Sequence, residues 1–158
     1  MPGAVFEGLA FMRIEEIMTK QVLAIRPDAD AGDAWQQMRK ARIHHLVVMD
    51  GSQIVGILSD RDLGGRNGAT IRKARQVSEL MTPHAIVAAP ETSLRRAAQL
   101  LRGCTIGCLP VVDGKTLVGI VTATDLLGQL ANSANGKRAP GTVRDARPSR
   151  QRNRAERA

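Results

Sequence analysis

Two short segments of the chain place a hydroxyl group three residues before a carboxylate. The first runs from Gly56 to Asp62 and the second from Gly119 to Asp125. In both, a glycine and two aliphatic residues precede a Ser or Thr that is predicted to open a helix. A hydroxyl there lies beside unpaired N–H groups and the positive end of the helix dipole, which favour a phosphate. The aspartate lies one turn further on the same face, where it can accept both hydroxyls of a ribose.

The same pattern also has a purely structural explanation. Ser59 or Thr122 can cap its helix while the aspartate reaches back to the N–H of the cap residue, which makes a capping box. One S/T-x-x-D segment alone favours this explanation, because the pattern is common. Its recurrence after a glycine and two aliphatic residues, at equivalent places in the chain, favours ligand binding.

Both motifs belong to a longer internal repeat. An offset of 63 residues aligns 16–63 with 79–126 without a gap, and 17 of the 48 aligned positions are identical. The identical blocks include Met18-Thr19 with Met81-Thr82 and Asp50-Gly51 with Asp113-Gly114. Self-similarity at a fixed period indicates a repeated structural unit. The body of the chain is therefore predicted to contain two copies of one unit.

The periodicity of each copy predicts the element order β-α-β-β-α. Pro27 ends the first strand, Asp28 or Asp30 can cap the first helix, and Ser93 caps its equivalent. The predicted strands are 22–25, 46–49, 54–58, 86–89, 109–112 and 117–121, and the predicted helices are 31–41, one from Ser59, 94–101 and one from Thr122.

The fold class is α/β (α+β), with two copies around a pseudo-twofold axis. A unit of roughly 50 residues cannot bury both faces of its own sheet, so the copies should pack together and form two equivalent clefts. The predicted divisions are an N-terminal extension at 1–11, repeat 1 at 12–67, a connector at 68–76, repeat 2 at 77–132 and a tail at 133–158.

The formal charge of +8 is concentrated in the tail. Residues 137–158 hold eight of the 23 basic residues and two of the 15 acidic ones. Few apolar side chains offset the entropy of ordering, so 133–158 is predicted to be a disordered basic tail. It could contact nucleic acid or another anionic partner, or only aid solubility. Bases stack on aromatic side chains, and the chain has only Phe6, Phe11 and Trp35, so nucleic acid is not the favoured partner.

Composition also restricts the class of protein. The apolar runs fall short of the ~20 residues that a membrane-spanning helix needs. No secretion signal is readable in residues 1–11, and Met12 is an alternative start, so the protein is expected in the cytoplasm. Cys104 and Cys108 do not make a disulfide framework and fit a reducing compartment. No Ser-His-Asp or paired-carboxylate spacing argues for catalysis, so the protein is not expected to be an enzyme.

Three weaker signals have ordinary structural explanations. Trp35 is expected to pack or to contact a dimer partner, because its counterpart is Ala98. Cys104 and Cys108 could join a histidine at zinc, but without a C-x-x-C or H-x-x-x-H pattern buried neutral thiols are preferred and no metal is predicted. The segment 64–68 resembles a phosphate loop only in its glycine content and is expected to be a flexible connector.

Over residues 12–130 the sequence resembles a tandem pair of cystathionine-β-synthase (CBS) domains, a Bateman module, of the small stand-alone bacterial type. The resemblance lies in Ile17-Met18-Thr19 and Leu80-Met81-Thr82, in 42–48 and 105–113, and in the two G-h-h-S/T-x-x-D motifs. Val47 departs from the usual proline of the family. By resemblance, such modules bind adenosyl ligands (AMP, ADP or ATP, sometimes S-adenosylmethionine or NAD) and act as regulatory sensors without catalysis or a required cofactor.

The resemblance also implies the composition of each cleft, in which the motif of one repeat faces the first two strands of the other. Site A would join Ser59, Arg61, Asp62, Thr82, Ile86, Leu109 and Pro110. Site B would join Thr122, Asp125, Thr19, Val22, His45 and Leu46. Aliphatic residues would hold the adenine, the aspartate the ribose, and the hydroxyl with a basic residue the phosphate. Because Thr124 replaces Arg61 in the second motif, His45 would have to help there, or site B is weaker or empty.

Two hypotheses from different classes remain. The first is a regulatory nucleotide-binding module, expected to be a homodimer, in which ligand biases the packing of the repeats and a partner protein responds. The alternative is a dimerising scaffold whose basic tail contacts nucleic acid or an acidic partner. Removing 137–158 should abolish salt-sensitive RNA or DNA binding under the second hypothesis only. His44 and His45 are adjacent, so only one of them is expected to line a given cleft.

Overall fold

The computed structural model describes residues 4–104 and 106–134. The helices are α1 (Ala4–Phe11), α2 (Ala31–Ala41), α3 (Ala69–Arg72), α4 (Val77–Leu80), α5 (Leu94–Gly103) and α6 (Ala123–Ala134). The strands are β1 (Ala24–Ile25), β2 (His45–Asp50), β3 (Gln53–Ser59), β4 (Thr82–Pro83), β5 (Cys108–Asp113) and β6 (Thr116–Thr122). Among the described helices, none is long and apolar enough to cross a membrane. The predicted tail lies outside the described residues, except for 133 and 134 at the end of α6.

The strands form two sheets with the same plan. The first has the order β1-β2-β3-β4, in which β1 is parallel to β2 and the other neighbours are antiparallel. The second is built on the β5–β6 hairpin. A parallel bridge between Ala88 and Val111 and an antiparallel bridge between Thr19 and Ile120 complete it, at the positions of the β1–β2 and β3–β4 pairs. The predicted α/β fold of two equivalent copies is therefore confirmed.

The segment at the head of each copy lies on the sheet of the other copy. Thr82 pairs with Ile57 in the first sheet, and its counterpart Thr19 pairs with Ile120 in the second. This exchange brings the head of repeat 2 next to the strand that leads into the first S/T-x-x-D motif. The head of repeat 1 lies equally close to the second motif.

Each copy also contributes to the core of the other. Ile14 belongs to the core of the second copy, and its counterpart Val77 belongs to the core of the first. Both side chains are completely buried. The two copies are therefore interlocked, and the repeats counted along the sequence are not the units that pack in space. The first core contains Ala31, Ala34, Met38, Leu46, Val48, Leu58, Leu63 and Val77, and the second Ile14, Ala88, Leu94, Ala97, Leu101, Leu109, Val111 and Val121.

The two copies differ after their motifs. Helix α6 follows Thr122 directly, as predicted. After Ser59, in contrast, the chain makes one turn and then passes through Gly64 and Gly65, whose φ angles are +77° and +59°. Glycine in the left-handed region ends a helix. The prediction of a regular helix from Ser59 is therefore wrong beyond its first turn.

Arg72 fixes the glycine-rich segment that was expected to be a flexible connector. Its side chain is buried, and Nη1 donates to the carbonyl oxygens of Leu63 and Gly65 at 2.7 Å each. The guanidinium lies 4.4 Å from the ring centroid of Trp35, which packs against the first core. The connector is therefore a folded turn, and Trp35 has the packing role that was expected of it.

Candidate functional site

The two motifs share one hydrogen-bonded geometry. Asp62 Oδ2 accepts from the backbone N–H of Ser59 at 2.7 Å and from its hydroxyl at 2.8 Å. Asp125 Oδ2 accepts the same two bonds from Thr122 at 2.8 and 2.9 Å. The capping geometry raised as the structural explanation is thus present in both copies. It uses one carboxylate oxygen only, and Oδ1 of each aspartate accepts no hydrogen bond from the described residues.

Both motifs open into a single cleft that is lined by the two copies together. Its volume is about 1160 Å³, which is slightly larger than the ~300–1,000 Å³ of common ligand pockets. Asp62 lines it in the first copy and Asp125 in the second. The exchanged head residues Thr82 and Thr19 line it as well. Two equivalent clefts were predicted, and the structure joins them into one continuous space.

Strand register determines which residues reach the cleft. Residues opposite each other in an antiparallel pair lie on the same face of a sheet. His45 is opposite Ser59, and Cys108 is opposite Thr122, and all four line the cleft. Leu46 follows His45 by one position, so it faces the core on the other side of the sheet.

All but three of the predicted site residues line the cleft. The exceptions are Leu46, Leu109 and Pro110, whose side chains are completely buried. Leu46 and Leu109 belong to the two cores because they lie on the helix-facing side of their strands. Pro110 is opposite Ile120, which lines the cleft, but Pro110 itself is covered. The cleft-lining set is Ser59, Arg61, Asp62, Thr82 and Ile86 of site A and Thr122, Asp125, Thr19, Val22 and His45 of site B.

His45, which was assigned to the cleft residues of the second motif, contacts both copies. Its partner in the sheet is Ser59. The imidazole ring also contacts the second copy at Gly107. Its Nε2 is so close that a Cβ added at Gly107 would lie 2.5 Å from it. Burial lowers the pKa of His45, although the nearby carboxylate of Asp60 acts in the opposite direction. Burial therefore favours the neutral form of the His45 imidazole.

His44 lines the same cleft as His45, which the rule of alternating strand faces did not predict. The reason is that β2 begins at His45, so His44 lies in a bend outside the strand. Its Nδ1 is 2.8 Å from Oδ2 of Asp60. The pair lies beside the first motif, and Asp60, which was not predicted as a site residue, is placed there by its position between Ser59 and Asp62.

The basic side chains that line the cleft all come from the first copy or from the segment that follows β4. They are Arg42, His44, His45, Arg61 and His84. Four of them come from the first copy, and His84 follows β4, which is part of the first sheet. Their counterparts at the offset of 63 residues are Thr105, Gly107, Cys108, Thr124 and Gln21, so none of these five positions is basic in both copies. The sequence aligned at this offset indicates the asymmetry for Arg42 and His84, which were not among the predicted site residues.

The two cysteines differ in environment. Both line the cleft, but Cys104 is exposed and Cys108 is buried. Burial raises the pKa of the Cys108 thiol to about 12, so it is neutral at physiological pH. The expectation of a buried thiol thus applies to Cys108 and not to Cys104. Within the described ranges, no three His, Cys, Asp or Glu side chains lie close enough together to hold a metal ion.

Exchanged heads, paired S/T-x-x-D motifs and a shared cleft define a tandem pair of small α/β repeats. The sequence model of the CBS domain matches residues 14–63 and 77–132. The chain therefore belongs to the CBS domain family and contains two copies of the domain.

Three comparisons show what this chain is similar to. It is 33% identical over 125 residues to the CBS domain-containing protein YhcV of Bacillus subtilis (strain 168), an alignment that covers 78% of this chain and 89% of YhcV. The crystal structure of CBSX2 in complex with AMP matches with a TM-score of 0.63 and 29% identity, over 76% of this chain and 96% of that one. Inosine-5'-monophosphate dehydrogenase of Methanocaldococcus jannaschii is 30% identical over 120 residues, which are 75% of this chain but only 23% of the enzyme.

Proposed function

We propose that this chain is a non-catalytic regulatory module that binds an adenosyl ligand of the AMP, ADP or ATP type in the cleft between its repeats. The observation that carries the proposal is the shared position of the two motifs. The carboxylates of Asp62 and Asp125 both open into one cleft of about 1160 Å³, which is large enough for a nucleotide. The similarity to CBSX2, whose structure contains AMP, supports the ligand class.

The chemistry of the cleft suits each part of such a ligand. Oδ1 of Asp62 can accept the hydroxyls of a ribose while Oδ2 keeps the cap in place. The guanidinium of Arg61 can donate two hydrogen bonds to a phosphate. Aliphatic side chains that line the cleft, such as Ile57, Ile86 and Ile120, can pack on both faces of an adenine. No aromatic side chain is required for that contact.

Regulation follows from the exchange of the head segments. Thr82 belongs to repeat 2 but pairs with the first sheet. Thr19 belongs to repeat 1 but pairs with the second sheet. A ligand between Asp62 and Thr82 therefore contacts both repeats at once. Its binding energy biases the packing of one repeat against the other, and a partner protein can respond to that change.

The exposed apolar face of α1 and α6 supports the proposal of a homodimer. Phe11 is 83% exposed, Leu127 63% and Leu130 44%. Apolar side chains grouped on adjacent helices are typical of protein interaction sites. We propose this face as the contact between two copies of the chain.

Isothermal titration with AMP, ATP, S-adenosylmethionine and NAD tests the ligand proposal. Asp62→Asn and Asp125→Asn should each weaken a distinct binding event by about 10- to 100-fold, because a hydrogen bond to a charged group contributes about 1.5–3 kcal/mol. Asp113→Asn is the matched control, since Asp113 is exposed at the end of β5 and does not line the cleft. The proposal fails if the wild-type chain gives no heat with any of the four ligands.

A further inference from the structure

We infer that the two ends of the cleft differ in ligand chemistry, so that the first-motif end binds the phosphate of an adenosyl ligand and the second-motif end takes an adenosyl group without a phosphate. The inference rests on the proposed function and deepens it. It is carried by the charges of residues that occupy equivalent positions in two otherwise matching halves of one cleft.

At the first-motif end, Arg61 supplies an available positive charge. Its side chain is exposed and lines the cleft, and it makes no ion pair with any described residue. The neighbouring carboxylate of Asp60 lies 2.8 Å from Nδ1 of His44, a contact that is an ion pair only while the imidazole is protonated. Arg61 therefore remains free of a carboxylate partner next to the place where Asp62 would hold the ribose. A planar guanidinium matches the geometry of a phosphate.

At the second-motif end, the same positions carry no positive charge. Thr124 replaces Arg61 and Ala123 replaces Asp60, and Gly107 and Cys108 replace the two histidines. The thiol of Cys108 is buried and does not ionise at physiological pH. Asp125 is therefore the one charged side chain that the described second motif presents to the cleft.

The carboxylate of Asp125, without a basic side chain in the same motif, determines which ligand the second-motif end can bind. A phosphate placed beside Asp125 would meet a like charge without a basic side chain from that motif to compensate it. A neutral thioether or a cationic sulfonium on the 5′ carbon avoids that repulsion and still offers the ribose hydroxyls to Asp125. The hydrogen bonds of Thr122 and Asp125 match those of the first motif, so the ribose site itself is equivalent at both ends.

Titration of single-residue variants with AMP and with 5′-methylthioadenosine tests the inference. Arg61→Thr should weaken AMP binding by about tenfold or more, because a charge-assisted hydrogen bond is lost, and should leave the affinity for 5′-methylthioadenosine within twofold. Thr124→Arg should add a second AMP-binding event. Arg66→Thr removes an exposed arginine that does not line the cleft and serves as the matched control.

The outcomes separate the inference from the proposed function. If the wild-type chain binds AMP and Arg61→Thr changes its affinity by less than twofold, the inference is wrong and the proposed function stands. If Arg61→Thr weakens both ligands equally, the charge asymmetry does not select between them and the inference is also wrong. If the wild-type chain binds neither AMP nor any other adenosyl ligand, both fail. Thermal unfolding by circular dichroism verifies that each variant is folded.

Discussion

Replacing Arg72 by alanine should strongly destabilise the first repeat. The buried side chain donates two hydrogen bonds of 2.7 Å, to the carbonyl oxygens of Leu63 and Gly65. It also lies 4.4 Å from the ring centroid of Trp35. The variant leaves both carbonyl groups without this donor and removes the cover from the aromatic ring. The glycine-rich turn after the first motif would then lose its attachment to the core.

The expected loss in the free energy of unfolding is about 3–5 kcal/mol. Hydrogen bonds from a charged donor contribute about 1.5–3 kcal/mol each, and a cation over an aromatic ring adds about 0.5–2 kcal/mol. These contributions share one side chain and are not fully additive, so the total lies below their sum. Arg72→Lys keeps the charge but loses the planar fork, and it should fall between the wild type and Arg72→Ala.

Urea unfolding followed by circular dichroism measures this loss. Arg39→Ala is the matched control, because Arg39 also lies over Trp35, at 5.9 Å, but is exposed and makes no side-chain hydrogen bond with the described residues. It should change stability by no more than about 0.5 kcal/mol. A loss below about 1 kcal/mol for Arg72→Ala would refute the reasoning, because the turn would then be held by other contacts.

Three further perturbations test other parts of the structure. Gly56→Ala should lower the free energy of unfolding by about 1–3 kcal/mol, because its Cβ would lie 2.7 Å from the carbonyl oxygen of Thr82 and force β4 away from β3. The pKa of His45 is lowered in the folded chain, so the unfolded chain takes up a proton more readily as pH falls below 6.5 and stability falls with it. His45→Gln should remove that part of the pH dependence, measured by urea unfolding at pH 7.5 and 5.5. Leu127→Asp should convert a dimer into a monomer in size-exclusion chromatography with light scattering, because it places a charge in the exposed apolar face.

Each of these perturbations has a control or a contrary outcome. Gly128→Ala meets no atom within 4 Å in α6 and should raise stability by about 0.5–1 kcal/mol, the opposite sign to Gly56→Ala. An unchanged pH dependence in His45→Gln would mean that other groups cause the loss at acidic pH. Asn67→Asp, in an exposed turn, should leave the oligomeric state unchanged. A wild-type chain that is monomeric at micromolar concentration would contradict the proposed interface.

Local patterns predicted most of the fold because each copy repeats the same information. The alternation in β2 and β3, the turn at Asp50-Gly51 and the caps at Asp30 and Ser93 depend on neighbouring residues only. The helix after Ser59 was predicted incorrectly because the first motif has the same helix-opening pattern as the second, which does lead into a helix. Two consecutive glycines in the left-handed conformation overrode that preference.

The lining of the site was predicted less well than its motifs. Hydroxyl and carboxylate positions follow from a spacing of three residues, so Ser59 and Asp62 could be found in the sequence. Side chains along a strand alternate between the two faces of the sheet, and the sequence alone does not specify which face lies toward the cleft. Leu46 was therefore placed in the cleft although it belongs to the core. The alternation of strand faces does not apply to His44, because His44 precedes the first residue of β2.

By itself, the sequence determined the two-copy architecture, the pair of motifs and the uneven distribution of basic residues between equivalent positions. These properties depend on residue order and can be read from an offset of 63. Only the tertiary structure decided that the heads are exchanged, that the two clefts are continuous and that His45 contacts both copies. Those features depend on contacts between residues far apart in the chain, and neither periodicity nor local spacing specifies such contacts.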